Sequence, residues 1–285
     1  MMVSVDLQVR SAELADKGRI ADLIRSSPHV HRHLDWRYPL DWIGSPSFYL
    51  LEDRGRLLAA LVCPPDPSAV VWVRLLAVAG GLPLNEAWQL LWEAARLDLS
   101  RQGNFTVAAI VLQEWFPALL QTSRFAKRQS IVMLERDDPS ELGVSLRPGF
   151  SIRAMKASDL PAVTDVDAAA FAPLWRNSLP DLQQAFPQAL LASVAEAQGR
   201  LIGYQLSTRN PLGMHLARLA VRPETQGRGV GYTLLADLIH QGGQRGIHHL
   251  TVNTQSDNAA SLALYQRAGF HETGERYPVY QLQVP

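Results

Sequence analysis

The sequence predicts an α/β protein made of two tandem copies of one fold, each a mixed, mostly antiparallel sheet flanked by helices. Three observations carry this expectation. The chain has 285 residues, long for one compact core and comfortable for two domains. Short segments recur in the same order at a near-constant separation. Strand-type and helix-type periodicities alternate through the second half, as in layered α/β proteins.

The recurrence is the first thing to justify, because a missed repeat misassigns the fold. Val9-Arg10 with Asp16 returns as Ile152-Arg153 with Asp159, and Leu75–Val78 returns as Arg218–Val221, both at an offset of 143. Gly55-Arg56-Leu57 returns as Gly199-Arg200-Leu201 at 144, and Ser123-Arg124-Phe125 sits like Ala268-Gly269-Phe270 at 145. Each match is weak; their order and spacing make them informative. The polar stretch from Asp137 to Gly149, rich in Pro and Gly, reads as a connector. The expected organisation is a first copy over 1–137, a linker over 138–148 and a second copy over 149–285.

In the second copy, Ser151–Ala154 is a short strand. The helix after it opens at Ser158-Asp159 and carries Leu160, Val163 and Val166 on one face. Leu190–Glu196 and Leu201–Thr208 are strands joined by Gln198-Gly199-Arg200, a hairpin signal. His215–Val221 is a further strand, ended by Arg222-Pro223. Gly229–Gln244 has apolar residues at helical spacing, His249–Asn253 is β-rich, and Asn258–Ala268 is a helix stopped by Gly269. Phe270 onward and Pro278–Val284 finish in extended segments. The predicted order is β-α-β-β-β-α-β-α-β.

Composition narrows the function. Apolar residues make up 47% and charged residues 19% of the chain, and Lys+Arg and Asp+Glu are both 27. Without a basic excess, a nucleic-acid or anionic-membrane partner is disfavoured. The single cysteine, Cys63, excludes an internal disulfide framework and a multi-cysteine zinc site, and fits a reducing compartment. Met1–Arg10 shows no basic segment followed by an apolar one, and no run approaches the roughly 18 apolar residues that span a bilayer. The chain reads as soluble and cytoplasmic.

The chemistry concentrates in one turn. Between the strand ending at Val221 and the helix near Gly229, Gly227, Gly229 and Gly231 fall at alternate positions. Glycine lets backbone N–H groups converge where a Cβ would interfere. The helix start adds unpaired N–H groups and a positive dipole end, together a cradle for a diphosphate. A dinucleotide fingerprint fits poorly, since its first Gly follows the first strand of a βαβ unit. A Walker loop needs Gly-Lys-Ser/Thr, which is absent.

Gln226-Gly227-Arg228-Gly229-Val230-Gly231 resembles the acetyl-CoA signature of the GNAT superfamily of N-acetyltransferases, Arg/Gln-x-x-Gly-x-Gly/Ala. The family's second signature resembles Asn258 through Phe270. Both occur in the right order, separated by a strand, and the resemblance covers 150–285. It implies acetyl-CoA as co-substrate and a primary amine, on a small molecule or a peptide, as acceptor. The strand before the turn would splay from its neighbour, and the backbone of Leu219, Ala220 and Val221 would hold the pantetheine arm. The Leu219 amide would act as an oxyanion donor. The diphosphate would rest on backbone N–H groups of Gly227, Arg228, Gly229, Val230, Gly231 and Tyr232, following Gln226. The Arg228 side chain adds charge near phosphate or stays solvated.

Asn258 resembles the family asparagine that contacts the pantetheine, and is also a favoured helix N-cap; the two roles can coexist. Tyr265 matches the tyrosine that protonates the leaving thiolate, against the plainer reading of a core aromatic beside Leu264. His215 lies four residues before Leu219, where many relatives carry a glutamate base. It titrates in the right range, although a strand histidine can simply pack and an ordered water can serve instead. Glu196 is a weaker candidate.

The first copy has lost these features. At the offset of 143, Pro83–Trp88 stands where the cradle should be, with Glu86 for Gly229 and Trp88 for Gly231; at the offset of 145, Leu120 stands for Tyr265. This copy should not bind acetyl-CoA in the family manner. His29, His31 and His33 alternate, which invites a metal reading, but loop histidines so spaced are more often solvated and no cysteine supports a site; no metal is expected. Trp36, Tyr38 and Trp42 follow. Their counterparts over Phe171–Phe186, with Trp175 and Arg176, fall where relatives place acceptor-lining helices. The architecture resembles tandem members such as the mycothiol synthases, with a worn first copy. A non-catalytic acyl-CoA sensor is the alternative, disfavoured by an intact Tyr265. Acceptor identity and oligomeric state are not legible.

Overall fold

The computed structural model describes residues 6–66, 69–143 and 149–285. Met1–Val5, part of the segment read for a leader, and 144–148 of the expected linker lie outside the described residues. The chain forms two compact units, one of 1–128 with Tyr277–Pro285, the other of Gln129–Arg276. This differs from a linear cut at 138–148, because a strand from each half completes the other unit.

In the first unit, β1 (Leu7–Ser11) leads to helix α1 (Lys17–Ser26), then β2 (His29–Arg32), β3 (Phe48–Asp53), β4 (Arg56–Val62), β5 (Val70–Trp72) and β6 (Leu75–Val78). Helix α2 (Leu84–Gln102), β7 (Phe105–Ile110) and α3 (Phe116–Thr122) follow, and β8 (Ala126–Asp137) leaves toward the second unit. One sheet has the order β1-β3-β4-β6-β2. Alternation along its strands makes two cores: Leu51, Leu61, Leu76 and Val78 pack with Trp88 and Leu91 of α2, while Leu50, Ala60, Leu75 and Ala77 pack with Ile20 and Leu23 of α1.

The second unit contains β9 (Ser151–Ala154), α4 (Leu160–Ala170), α5 (Leu179–Gln188), β10 (Leu191–Ala197), β11 (Arg200–Arg209), β12 (Met214–Val221), α6 (Val230–Gly243), β13 (His249–Gln255), α7 (Ala259–Arg267) and β14 (His271–Val284). Its strands run β9-β10-β11-β12-β13 and then β8, which pairs antiparallel with β13 from His249↔Asp137 to Gln255↔Ile131. In exchange, Val279–Val284 of β14 pair with β7 in the first unit. The two terminal extended segments expected from sequence are therefore one continuous strand. Helix α5 was missing from the expected order; it is nucleated by a capping box in which Ser178 Oγ accepts from the Asp181 amide and Asp181 reaches back to the Ser178 amide.

The internal repeat is visible in side-chain detail. Arg10 pairs with Asp16 and Glu52 at 2.7 and 2.9 Å, and Arg153 pairs with Asp159 and Glu196 at the same distances. Both following hairpins turn on two positive-φ residues, Arg54-Gly55 and Gln198-Gly199, the geometry whose twist suits antiparallel strands. The copies also share a break. In the second unit β12 pairs parallel with β13 only over Met214↔Leu250 to Leu216↔Val252. In the first, β5 pairs parallel with β7 in the matching register, Val71↔Val107 and Trp72↔Ala108. Past the break the copies diverge: β2 pairs with β6 from His29↔Val78 to Arg32↔Leu75.

His29 and His31 are therefore on a strand and not in a solvated loop, and His33 follows directly after its end, its amide donating to Arg74 O at 2.9 Å. His31 is fully buried, its Nε2 lies 3.0 Å from Val73 O and its ring packs on Phe116 at 4.3 Å. His33 stacks on Trp72 at 4.6 Å. Burial pulls the His31 pKa down to about 4. Trp42 is buried too, with the guanidinium groups of Arg37 and Arg74 over its ring at 3.5 and 4.2 Å.

Candidate functional site

The site is built around β12. A register shift between Leu206↔Arg218 and Ser207↔Leu216 leaves Ala217 as an extra residue. A bulge bends and twists its strand, and here it coincides with the last residue pair shared with β13. Beyond it, no strand among the described residues pairs with the outer edge of Ala217–Val221. The Arg222 N–H donates to Ile202 O at 2.8 Å. By the alternation of an antiparallel pair, Arg218 and Ala220 also turn their backbone groups to β11, while Leu219 and Val221 turn theirs to the open edge.

The glycine turn begins where this edge ends. Gly227 has φ +74° and Gly229, the N-cap of α6, has φ +87°. That region costs an L-residue roughly 1–2 kcal/mol. A Cβ at either position would meet nothing within 4 Å; backbone conformation, not crowding, asks for glycine there. Gly231 is already helical. The first amide of the turn with a backbone acceptor is Thr233, which donates to Gly229 O at 2.9 Å. The amides from Gly227 to Tyr232 have no acceptor among the described residues, as expected for a helix start. Gln226 folds back, its Nε2 donating to Val221 O at 3.0 Å. Arg228 is exposed, and the Tyr232 ring lies under the Arg267 guanidinium at 4.7 Å.

Sequence reasoning passed over Gly203, which seats α6 against the sheet. A Cβ there would stand 2.9 Å from Ala220 O and 3.2 Å from Val230 Cγ1. Only glycine lets the first turn of α6 approach β11 so closely. Its position opposite Val221 in the hairpin was the available signal.

Helix α7 supplies the other predicted residues. Asn258 is its N-cap, with Oδ1 accepting from the Ser261 amide at 3.1 Å and Nδ2 donating to Gln255 Oε1 at 3.4 Å. Tyr265 is buried in the core that also contains Phe270 and against which Leu219 packs. Its hydroxyl makes no hydrogen bond among the described residues. Burial raises its pKa, with the Arg218 charge acting in the opposite sense, so the phenol keeps its proton at neutral pH.

His215 precedes the bulge and pairs with Thr208, which puts it on the α4 face of the sheet. Its Nδ1 lies 2.9 Å from Thr251 Oγ1, and burial lowers its pKa below the ordinary histidine value. The imidazole is thus neutral near pH 7, with Nε2 free of protein partners among the described residues. Glu196 is engaged by Arg153 at 2.9 Å, away from these groups along the sheet.

One cluster had no counterpart in the sequence reading. Asp167 of α4, fully buried, receives Arg218 Nε at 2.7 Å and Nη2 at 2.9 Å, the Tyr204 hydroxyl and the Asn177 amide at 2.8 Å. Burial opposes the Arg218 charge, but the Asp167 carboxylate outweighs it and holds the guanidinium's pKa above its ordinary value.

The chain is similar to known acetyltransferases. The acetyltransferase (GNAT) family model matches residues 160–270. The [ribosomal protein bS18]-alanine N-acetyltransferase of Salmonella typhimurium is 30% identical over 134 residues, 46% of this chain and 89% of that protein. The mycothiol acetyltransferase of Clavibacter michiganensis is 30% identical over 141 residues, so that the match spans about half of each chain, 46% of both. Over 98% of this chain and 99% of the other, the fold is similar at a TM-score of 0.62 and 16% identity to a tandem GNAT protein from the clavulanic acid biosynthesis pathway. The chain belongs to the GNAT family of acetyltransferases, in a tandem architecture.

Proposed function

We propose that the second unit transfers an acetyl group from acetyl-CoA to a primary amine, by direct attack in a ternary complex. The observation that carries this reading is an unpaired strand edge running into a turn whose successive amides have no protein acceptor. An extended pantetheine arm would pair with the edge at Leu219 and Val221, alongside Ala220. A diphosphate would take the N–H groups of Gly227–Tyr232, where the positive end of α6 favours an anion. Asn258 keeps its capping role at the far side of that edge.

Acetyl-CoA brings an activated acyl carbon. The Leu219 N–H is oriented to donate to the carbonyl oxygen as it gains negative charge. The amine nitrogen forms a bond to the acyl carbon and the carbon–sulfur bond breaks. Tyr265 holds a proton for the departing sulfur, and neutral His215, through Nε2, takes the proton the amine gives up. The products are the N-acetyl amide and free CoA. The acceptor class is a primary amine on a peptide N-terminus or a small molecule. The first unit does not take acetyl-CoA and serves as a scaffold.

Calorimetry with acetyl-CoA should give one site per chain, and a panel of amines assayed for CoA release should contain at least one acceptor. Because burial lowers the His215 pKa, kcat for that amine should fall on an acidic limb centred below about pH 6.5, while kcat/KM carries in addition the titration of the amine itself. Absence of acetyl-CoA binding heat, or a thermogram needing two sites, would sink this reading.

A further inference from the structure

The buried group around Asp167 ties one loop to one strand. Arg218 of β12 donates to both Asp167 oxygens and, through Nη2, to Trp175 O. Its guanidinium also lies over the Phe171 ring, 3.6 Å from the centroid. Asp167 takes the Asn177 amide at 2.8 Å, and Arg176 Nε donates back to Phe171 O at 3.0 Å. The segment from Phe171 to Asn177 is therefore fastened to a single ion pair at several points. The same Arg218 stands between the bulge residue Ala217 and Leu219, whose amide faces the open edge.

The fold itself does not need this pair. At the repeat offset, Asp167 corresponds to Ile24 and Arg218 to Leu75. Tyr204, opposite Ala220 as Ala60 is opposite Ala77, corresponds to Ala60. In the first unit those positions are apolar and pack in the core beside α1. A buried ion pair is commonly no better for stability than apolar residues filling the same space. The charged version thus sits in the unit with the open edge, and the aliphatic version in the unit whose edge β2 has filled.

We propose that Asp167, Arg218 and Tyr204 form a positioning device that locks Phe171–Asn177 to the bulged stretch of β12, holding the acceptor side of the site in fixed register with the Leu219 amide. The three residues do not touch the reacting atoms; they act through the loop and the strand. This rests on the acetyl-transfer reading for its catalytic consequence, but the mechanical link stands apart from it.

The test is the full-length triple variant Asp167→Ile/Tyr204→Phe/Arg218→Leu, which makes the three positions apolar, as they are in the first copy, without stranding a buried charge. It should unfold cooperatively near the wild-type temperature and bind acetyl-CoA within about twofold of wild type. Amine transfer should drop roughly 100-fold, the usual cost of slight misplacement, and hydrogen exchange at the Asn177 amide should accelerate to the level of an open loop. Arg218→Lys, which keeps the charge but not the two-point contact, should recover part of kcat. Wild-type kcat and KM in the triple variant, or unchanged Asn177 protection, overturns the proposal. Failure of the wild-type protein to acetylate any amine would count against the proposed function, while the exchange measurement would still decide the link.

Discussion

The two units answer one structural question in opposite ways. Each has a strand whose parallel partner stops partway, at Leu216 in β12 and at the gap between β5 and β6 in the first unit. Each is thereby left with an exposed row of backbone donors and acceptors, which invites an extended chain to pair. The first unit fills the row with its own β2, pinned by buried His31 and the aromatic rings around it. In the second unit the corresponding segment, 172–175 at the offset of 143, folds as a turn in the loop before α5, and Leu219 and Val221 keep a free edge. Closure in one copy shows that this edge accepts an extended backbone; in the other copy the edge stays open, and that is where we propose the substrate arm pairs. The glycine turn follows suit. The first unit replaces it with Pro83–Trp88, in which Trp88 is fully buried, stacks on Trp92 at 5.6 Å and donates to Ser123 Oγ at 2.8 Å.

The comparison breaks most sharply at Tyr265, whose counterpart Leu120 is a core aliphatic. If the phenol is what separates a working copy from a worn one, Tyr265→Phe should lower kcat by roughly 10²- to 10⁴-fold with acetyl-CoA affinity unchanged. Turnover near wild type would reduce Tyr265 to a packing residue.

The next largest effect is expected at the turn. Gly229→Glu forces an L-residue to φ +87° and sets a carboxylate where the first copy has Glu86. Together the strain and the like charge should weaken acetyl-CoA binding about 100-fold, read by calorimetry. The reverse change, Glu86→Gly, should create no second site, because β2 still occupies the edge there. A second binding event in that variant would show that the turn alone decides binding.

The smallest effect concerns the plug. His31 is neutral and buried, with Nδ1 unpartnered, and its pKa is lowered to about 4. Unfolding then takes up a proton at any pH between about 4 and 6.5, so stability falls as pH drops through that window. At pH 5 the loss from this group is about 2 kcal/mol relative to pH 7. Denaturant unfolding followed by tryptophan fluorescence reports mainly this unit, since of the seven tryptophans only Trp175 lies in the other. His31→Gln should flatten the acid dependence by that amount; an identical pH slope would mean that another group carries it.

Much of the candidate site was legible because it is local. The glycine spacing between strand and helix, the cap at Asn258 and the hairpin at Gln198-Gly199 are matters of a few consecutive residues, and backbone geometry allows few alternatives. What escaped was whatever depends on partners far apart in the chain. Asp167, Tyr204 and Arg218 carry no shared pattern and meet only when α4 packs on β11 and β12. Helix α5 was hidden because Pro and Gln residues dilute its periodicity, although Ser178 and Asp181 formed a readable capping box. The histidines of β2 looked like loop residues because nothing near them says that a free edge is waiting.

The sequence by itself determined that two copies of one fold are present and that one of them keeps glycines at a strand–helix junction, since periodicity and positive-φ demands are written residue by residue. Only the tertiary structure decided that Leu219 and Val221 face an unpaired edge, that β8 and β14 complete the opposite units, and that a buried ion pair fastens Phe171–Asn177 to β12. Sheet pairing is a competition between distant segments for the same hydrogen-bonding groups, and its outcome depends on which of them packing brings within reach.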